Sequence, residues 1–217
     1  MLPRIIGFEN FTDDDLRVFM EMAIDLSKEC HDWRTQHATI IINPNGFKSD
    51  CKDYSKFVIG RGYPMLKGGQ TLTPELKNRI IVDHDFRYSC MDHGEVNAIA
   101  DANQSGHDLD GAILLLTWYP CDKCAEAIGK AGIKLLVYSD ATGGVGYVSG
   151  GEYSFEKVER IEEIWKKYGV QKYFLPMYDD QGNVRKFPVH HQSKHYQDYY
   201  ETKEFKDYLA AKAGWNI

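Results

Sequence analysis

Several features that would direct a search for function are missing from this sequence. No window approaches the roughly 18 apolar residues that a helix needs to cross a bilayer, and the N-terminal MLPRIIGFENFTDDD has no apolar stretch behind a basic start, as a secretory signal would. Lys and Arg form no long run, and the formal net charge is −6. The sequence therefore predicts a soluble cytoplasmic protein with no membrane partner and argues against a nucleic-acid polymer as partner.

A disulfide framework is also missing. The five cysteines are an odd number and contain one close pair, Cys121 and Cys124. A CxxC pair in such a chain points to metal or redox chemistry in a reducing compartment. The glycine-rich segment 141–153 is not followed by Gly-Lys-Ser/Thr, so it is not a nucleotide-binding P-loop.

The pattern of apolar residues predicts one substantial α/β domain. A chain of 217 residues with 43% hydrophobic residues can bury a single sizeable core. A helix is predicted after Thr12, and strands over 38–43 and 56–61. Helices and strands then alternate: helix 93–103, strand 112–117, helix 121–131, strand 133–139, helix 154–169 and strand 171–176.

Near-continuous apolar strands that alternate with helices predict a sheet covered on both faces. We therefore expect a three-layer α/β/α sandwich around a mixed sheet of about five strands. The polar segment 67–90 is predicted to be irregular, apart from a short apolar patch over 80–82. We expect one domain over 1–180 with an insertion near 67–90, followed by a C-terminal extension over 181–217.

Two segments, MDHGEVNAIADANQSG (91–106) and TWYPCDKCAEAIGKAG (117–132), carry residues suited to a metal site. Cys121 and Cys124 lie on one face of a helix that Pro120 would begin, and the helix dipole favours thiolate at its N-terminus. Taken alone, the CxxC is equally consistent with buried small residues or a redox pair, and His93 with a core or capping histidine.

The two segments together are more specific than either one. H-x-E followed by P-C-x-x-C is typical of zinc deaminases that act on nucleobases, in which the glutamate carries protons and does not bind metal. One imidazole and two thiolates leave the fourth tetrahedral position open, as in a catalytic zinc site. The alternative is a structural zinc site with Cys90 or His84 as the fourth ligand.

This pattern predicts a mechanism as well as a ligand set. Zinc would lower the pKa of its water ligand from 15.7 to about 7. Glu95 would then take the proton of that water, protonate the ring nitrogen next to the carbon under attack, and later carry a proton to the departing amine.

At these residues the chain resembles the deoxycytidylate (dCMP) deaminase family. HGEVNAI is similar to the family's H-A-E-x-N-A-I, and PCDKCAEAIGKAGIKLLVY is similar to its P-C-x-x-C-A-x-x-I-x-x-A-G-I-K-x-x-V-Y. The resemblance implies the cytidine-deaminase-like fold, zinc, hydrolysis of dCMP to dUMP and ammonia, and a homo-oligomer. It also implies that His93, Cys121 and Cys124 bind zinc and that Glu95 shuttles protons.

The chain departs from that family at two positions close to the motifs. Gly94 replaces the usual alanine, which removes a methyl group and predicts a slightly larger pocket. Pro64 stands where the family's G-Y-N-G element has an asparagine that holds the sugar, and proline has no such amide. Sugar recognition is therefore either rebuilt here or directed to another substrate.

Candidate substrate contacts are less sharply defined. Arg34 lies just before the first strand and suits a bidentate phosphate contact, although a solvated surface arginine is an equal alternative. Arg61 and Lys67 are further candidates for the phosphate, and Gly94 and Tyr119 for other substrate contacts.

Three functions remain open from the sequence. The first is deamination of a free cytosine nucleotide, most simply dCMP, with CMP, a nucleoside or a 5-substituted deoxycytidylate as alternatives. The second is deamination of a base within RNA or DNA, which the net acidity disfavours. The third is a zinc-stabilised nucleotide-binding protein without turnover, which the presence of Glu95 disfavours.

Overall fold

A computed structural model of the chain describes residues 7–32, 36–139, 155–178, 181–182, 202–203 and 206–207. Its strands are β1 (Thr39–Ile42), β2 (Val58–Gly62), β3 (Met65–Leu66), β4 (Met91–Asp92), β5 (Ile113–Leu116), β6 (Leu135–Tyr138) and β7 (Gln171–Phe174). A five-stranded sheet has the order β2-β1-β5-β6-β7, and β3 pairs with β4 separately. β1 is antiparallel to β2 and β5, whereas β5, β6 and β7 are parallel. The predicted mixed sheet is confirmed.

The α-helices are α1 (Asp13–Leu26), α2 (Pro74–Val82), α3 (His84–Cys90), α4 (Gly94–Gln104), α5 (Asp122–Lys130) and α6 (Phe155–Tyr168). The first helix begins where the sequence predicts. The Thr12 hydroxyl accepts a hydrogen bond from the Asp15 N–H, and the Asp15 carboxylate accepts one from the Thr12 N–H. This capping box satisfies two donors at the start of α1.

Helices cover both faces of the sheet. On one face, α1 packs Leu16, Phe19 and Met20 into a buried cluster with side chains of β1, β5, β6 and β7. On the other face, buried side chains of α4, α5 and α6 pack against side chains of β1, β2, β5 and β6. Because both faces are covered, all four side chains of β5 are buried. The structure therefore confirms the three-layer α/β/α sandwich.

The segment 67–90 was predicted to be irregular, but it contains α2 and α3. Each helix has an N-cap: the Thr73 hydroxyl accepts from the Leu76 N–H, and the Asp83 carboxylate accepts from the Phe86 N–H. The segment has its own small core, in which Ile80 packs with buried side chains of β3 and β4. The N-cap residues Thr73 and Asp83, with Pro74 at the first position of α2, are local signals of these helices that the prediction did not use.

The C-terminal extension predicted over 181–217 lies largely outside the described residues. Among the helices that the structure does describe, none is long and apolar enough to span a membrane.

Candidate metal centre and active site

Two helix N-termini place the candidate metal ligands. His93 is the N-cap of α4, immediately after β4, and Cys121 is the N-cap of α5, on the segment that follows β5. Both residues have extended backbone conformations, and neither side chain caps its own helix. Cys124 lies in the first turn of α5 and is buried. All three side chains therefore point into the space between the two helix ends.

These side chains form a compact cluster. The His93 Nδ1 lies 3.3 Å from the Cys124 Sγ and 3.6 Å from the Cys121 Sγ. The candidate ligand atoms of all three residues lie within 4.8 Å of one another. One imidazole and two thiols form a donor set that suits zinc. All five cysteines lie in the described part of the chain and carry free thiols.

The surroundings of the cluster shift the pKa values of its two thiols in opposite directions. A hydrogen bond from the Cys124 thiol, with the nearby His93 ring, lowers the pKa of Cys121 to about 4. The same hydrogen bond, together with burial, raises the pKa of Cys124. The hydrogen bond with Cys121 raises the pKa of His93. These effects favour the thiolate form of Cys121, which is the form of cysteine that binds metals.

Glu95 lies beside this cluster with unused hydrogen-bonding capacity. Its side chain is 3% exposed, and its Oε2 is buried without a hydrogen-bond partner. A hydrogen bond between the Cys124 thiol and Glu95 contributes to the raised pKa of Cys124. A buried carboxylate oxygen without a donor is costly unless a bound group satisfies it. Glu95 is therefore suited to hold a water molecule or a polar ligand.

The sequence predicts a slightly larger pocket at Gly94, but the structure does not show one. A Cβ at this position would lie 3.1 Å from the Tyr63 Cα and 3.4 Å from the Pro64 Cδ. The space of the missing methyl group is therefore filled by the segment that follows β2. Asn97, which the sequence analysis did not single out, holds the same segment through a hydrogen bond from its amide to the Tyr63 carbonyl, at 2.9 Å.

Tyr119 lies in the core and does not support the predicted substrate contact. Its side chain is 6% exposed, and its hydroxyl accepts a hydrogen bond from the Trp165 Nε1 at 3.0 Å. Its ring packs edge-on against Tyr138. The hydroxyl thereby joins the segment carrying Cys121 to α6.

Of the three phosphate candidates, the structure describes Lys67 and Arg61, and each has a hydrogen-bond partner outside the cluster of His93, Cys121 and Cys124. Arg34 lies outside the described residues. The ammonium of Lys67 donates to the Ser89 carbonyl at 2.8 Å. Arg61 is exposed on β2, where its backbone N–H donates to Asp101.

The structure also places three residues near His93 that the sequence analysis missed. The ring of Tyr88 lies 6.4 Å from the ring of His93, centre to centre. Arg87 forms a buried ion pair with Asp32, at 3.3 Å. Tyr88 and Arg87 are carried by α3, whose segment was predicted to be irregular, and Asp32 lies in the segment before β1, so no sequence motif singled them out.

The layered fold and the cluster at two helix N-termini define a cytidine-deaminase-like protein. Residues 13–140 match the family described as the cytidine and deoxycytidylate deaminase zinc-binding region. This match spans more than half of the sequence, and the chain belongs to that family.

Curated relatives match most strongly over a short segment. The deoxycytidylate deaminase of Enterobacteria phage T4 is 46% identical over 48 residues, which cover 22% of this chain and 25% of that protein. The probable deoxycytidylate deaminase of Drosophila melanogaster is 32% identical over 109 residues, covering 48% of this chain and 44% of that protein. The chain thus spans about a quarter of the first relative and less than half of the second.

Solved structures support the fold over a longer span. The dCMP deaminase of cyanophage S-TIM5, solved in apo form, superposes with a TM-score of 0.52 at 18% identity, covering 76% of this chain and 99% of that one. The same enzyme in complex with dCMP and dUMP superposes with a TM-score of 0.51. At this identity the likeness concerns the fold.

Proposed function

We propose that this protein is a zinc-dependent deaminase that hydrolyses dCMP to dUMP and ammonia. The observation that carries the proposal is the convergence of His93, Cys121 and Cys124 beside the buried Glu95, within a deaminase zinc-binding region. The deoxycytidylate deaminases among the relatives, and the cyanophage enzyme solved with dCMP and dUMP, support this choice of substrate.

His93, Cys121 and Cys124 would hold the zinc ion. When bound, zinc lowers the pKa of a water molecule from 15.7 to about 7 and so supplies a nucleophile at neutral pH. Three protein ligands suit a catalytic site, whereas a structural site has four. Of the two candidate fourth ligands of a structural site, Cys90 is not part of the cluster that the described residues form, and the side chain of His84 lies outside the described residues.

Glu95 would move the protons of the reaction. Its carboxylate accepts a proton from the attacking water and delivers it to N3 of the cytosine ring as the C4–O bond forms. It then carries the remaining proton of that water to the amino group, the C4–N bond breaks, and ammonia leaves. One water is consumed for each ammonia released. A buried carboxylate with an oxygen that accepts no protein hydrogen bond is suited to this exchange.

The first test compares Glu95→Gln with wild type, both loaded with zinc. We expect the amide to retain zinc at one equivalent, because Glu95 is not a ligand, and to lose at least about a hundredfold in ammonia release, since proton transfer typically contributes 10²–10⁴-fold. Glu163→Gln, on the exposed face of α6, is the matched control. Normal turnover by zinc-loaded Glu95→Gln would refute the assigned role.

A substrate panel tests the choice of dCMP. Ammonia release from dCMP, CMP, deoxycytidine, 5-methyl-dCMP and a single-stranded oligonucleotide would be compared. We expect turnover to be confined to the deoxynucleotides. Turnover of the oligonucleotide alone would replace dCMP with a polymer, and tight nucleotide binding without ammonia release would favour a non-catalytic binding protein.

Two further expectations stay predictions. The homo-oligomer that the family resemblance implies can be tested by light scattering of the purified protein. A cytoplasmic location agrees with the five free thiols, and fractionation of the source cells would test it.

A further inference from the structure

Helix α3 brings an aromatic side chain to the edge of the candidate site. The ring of Tyr88 lies 6.4 Å from that of His93, with an angle of 53° between the two planes. Tyr88 is also 47% exposed, which is unusual for so large a side chain beside a buried cluster. Helix α3 thus contributes an accessible aromatic surface next to a candidate zinc ligand.

A buried ion pair anchors this part of α3. The guanidinium of Arg87 lies 3.3 Å from the Asp32 carboxylate, and the two side chains are only 4% and 9% exposed. The same guanidinium lies 4.7 Å from the centre of the Tyr88 ring. One face of the Tyr88 ring therefore lies against a guanidinium that the ion pair holds in place. This contact restricts the rotamers of Tyr88, so less side-chain entropy is lost when a ligand binds.

We propose that Tyr88 is a substrate-binding residue that stacks on the pyrimidine base and so forms one wall of the substrate site. This inference rests on the proposed function, because it assumes that the ligand at the cluster is a planar nucleobase. Aromatic side chains stack on any base through their π-faces, and such contacts are lost on substitution by alanine. A wall supplied by α3 also gives the segment 67–90 a role in substrate binding.

The chain offers a matched control in Tyr178. This tyrosine is 48% exposed and also has an arginine over its ring, with Arg17 at 5.3 Å from the centre. Arg17 belongs to α1, which covers the face of the sheet opposite to α4 and α5, the helices that carry the cluster. Substitution at Tyr178 thus reproduces the loss of an exposed, arginine-backed ring without touching the candidate site.

The test measures equilibrium binding of dCMP by calorimetry in the Glu95→Gln background, where turnover does not interfere. We expect Tyr88→Ala to raise the Kd about 5- to 100-fold. Tyr88→Phe and Tyr88→Trp should bind within about threefold of the parent, because stacking needs the ring and not the hydroxyl. Tyr178→Ala should match the parent. Zinc content and the urea midpoint are measured for every variant.

In the enzyme with Glu95 intact, Tyr88→Ala should raise KM with little change in kcat. Unchanged dCMP binding by Tyr88→Ala would overturn the inference, and so would binding by Tyr88→Phe as weak as that by the alanine variant. If Tyr88→Ala fails to fold, weak binding by a folded Tyr88→Trp would overturn it.

The two proposals can fail separately. If wild type releases ammonia from dCMP and Tyr88→Ala behaves like wild type, the stacking role fails alone. If wild type releases no ammonia but its dCMP affinity depends on the Tyr88 ring, the deaminase proposal fails and the stacking role stands.

Discussion

The indole of Trp165 donates a hydrogen bond to the hydroxyl of Tyr119 at 3.0 Å, and this bond links α6 to the segment that carries Cys121. Trp165 is 2% exposed, so its N–H has little access to water. The Tyr119 hydroxyl also approaches the Glu162 carboxylate, at 3.4 Å. Burial raises the pKa of Tyr119, which therefore remains a neutral phenol at physiological pH.

We predict that Tyr119→Phe destabilises the protein by about 1–3 kcal/mol, because the buried indole N–H loses this acceptor. Urea unfolding followed by tryptophan fluorescence would measure the change. Tyr178→Phe, at an exposed position, should stay within about 0.5 kcal/mol of wild type. Equal effects of the two substitutions would mean that the bond to Trp165 contributes nothing.

The ion pair of Asp32 and Arg87 predicts a larger loss. Asp32→Asn should destabilise the protein by about 3–5 kcal/mol, because it leaves the buried guanidinium without its counter-charge. Asp25→Asn, which breaks the exposed pair with Lys28, should cost about 0–1 kcal/mol. Chemical denaturation of both variants gives the comparison, and a small effect at Asp32 would show that α3 is anchored by its apolar contacts instead.

The carboxylate of Asp15 predicts a pH dependence of stability. Burial would raise its pKa, but hydrogen bonds from Ser49, Thr12 and Tyr54 outweigh this effect and lower the pKa below the ordinary value of 3.8. A carboxyl whose pKa is lower in the folded state stabilises the protein above its unfolded pKa and loses that contribution as pH falls through the folded pKa.

Asp15→Asn should therefore be less stable than wild type at pH 7, by about 1–3 kcal/mol. The difference between the two proteins should shrink as the pH falls below about 4. Thermal unfolding from pH 7 to pH 3 would show this convergence, and a difference independent of pH would contradict it.

Gly62 predicts a steric effect at the junction of β2 and α4. A Cβ there would clash with the Gly94 carbonyl oxygen and the Ala98 backbone nitrogen, and backbone atoms cannot move aside as a flexible side chain can. Gly62→Ala should destabilise the protein by about 3 kcal/mol or more. Gly94→Ala, whose Cβ would meet its nearest neighbour at 3.1 Å, should cost distinctly less. A larger loss of stability for Gly94→Ala than for Gly62→Ala in urea unfolding would contradict this prediction.

Local signals explain why most of the fold could be predicted from the sequence. The apolar run Ile113–Leu116 and the capping residue Thr12 identify elements without reference to distant residues. The convergence of His93 with Cys121 could be predicted for a related reason, since each lies at the start of a helix in a βα unit. The two short motifs were therefore sufficient to predict which residues form the cluster.

The predictions that failed depend on contacts between distant segments. Helix α2 packs Ile80 against β3 and β4, so its buried face cannot be recognised from the nine residues of the helix alone. The pocket expected at Gly94 is filled by Tyr63 and Pro64, residues about thirty positions earlier. Tyr119, predicted to be a substrate contact, instead bonds through its hydroxyl to Trp165 on α6.

The two helices that carry the candidate site begin without a side-chain cap. Thr12, Thr73 and Asp83 cap α1, α2 and α3, whereas His93 and Cys121 occupy the same position in α4 and α5 and make no such bond. A good cap is worth about 1 kcal/mol. The free energy of unfolding is therefore lower than it would be with capping residues at these two positions, because His93 and Cys121 serve as candidate metal ligands instead. A scaffold carrying His93→Ser and Cys121→Asp should melt at a higher temperature than the metal-free parent, and it would be a stable fold without a reaction to perform.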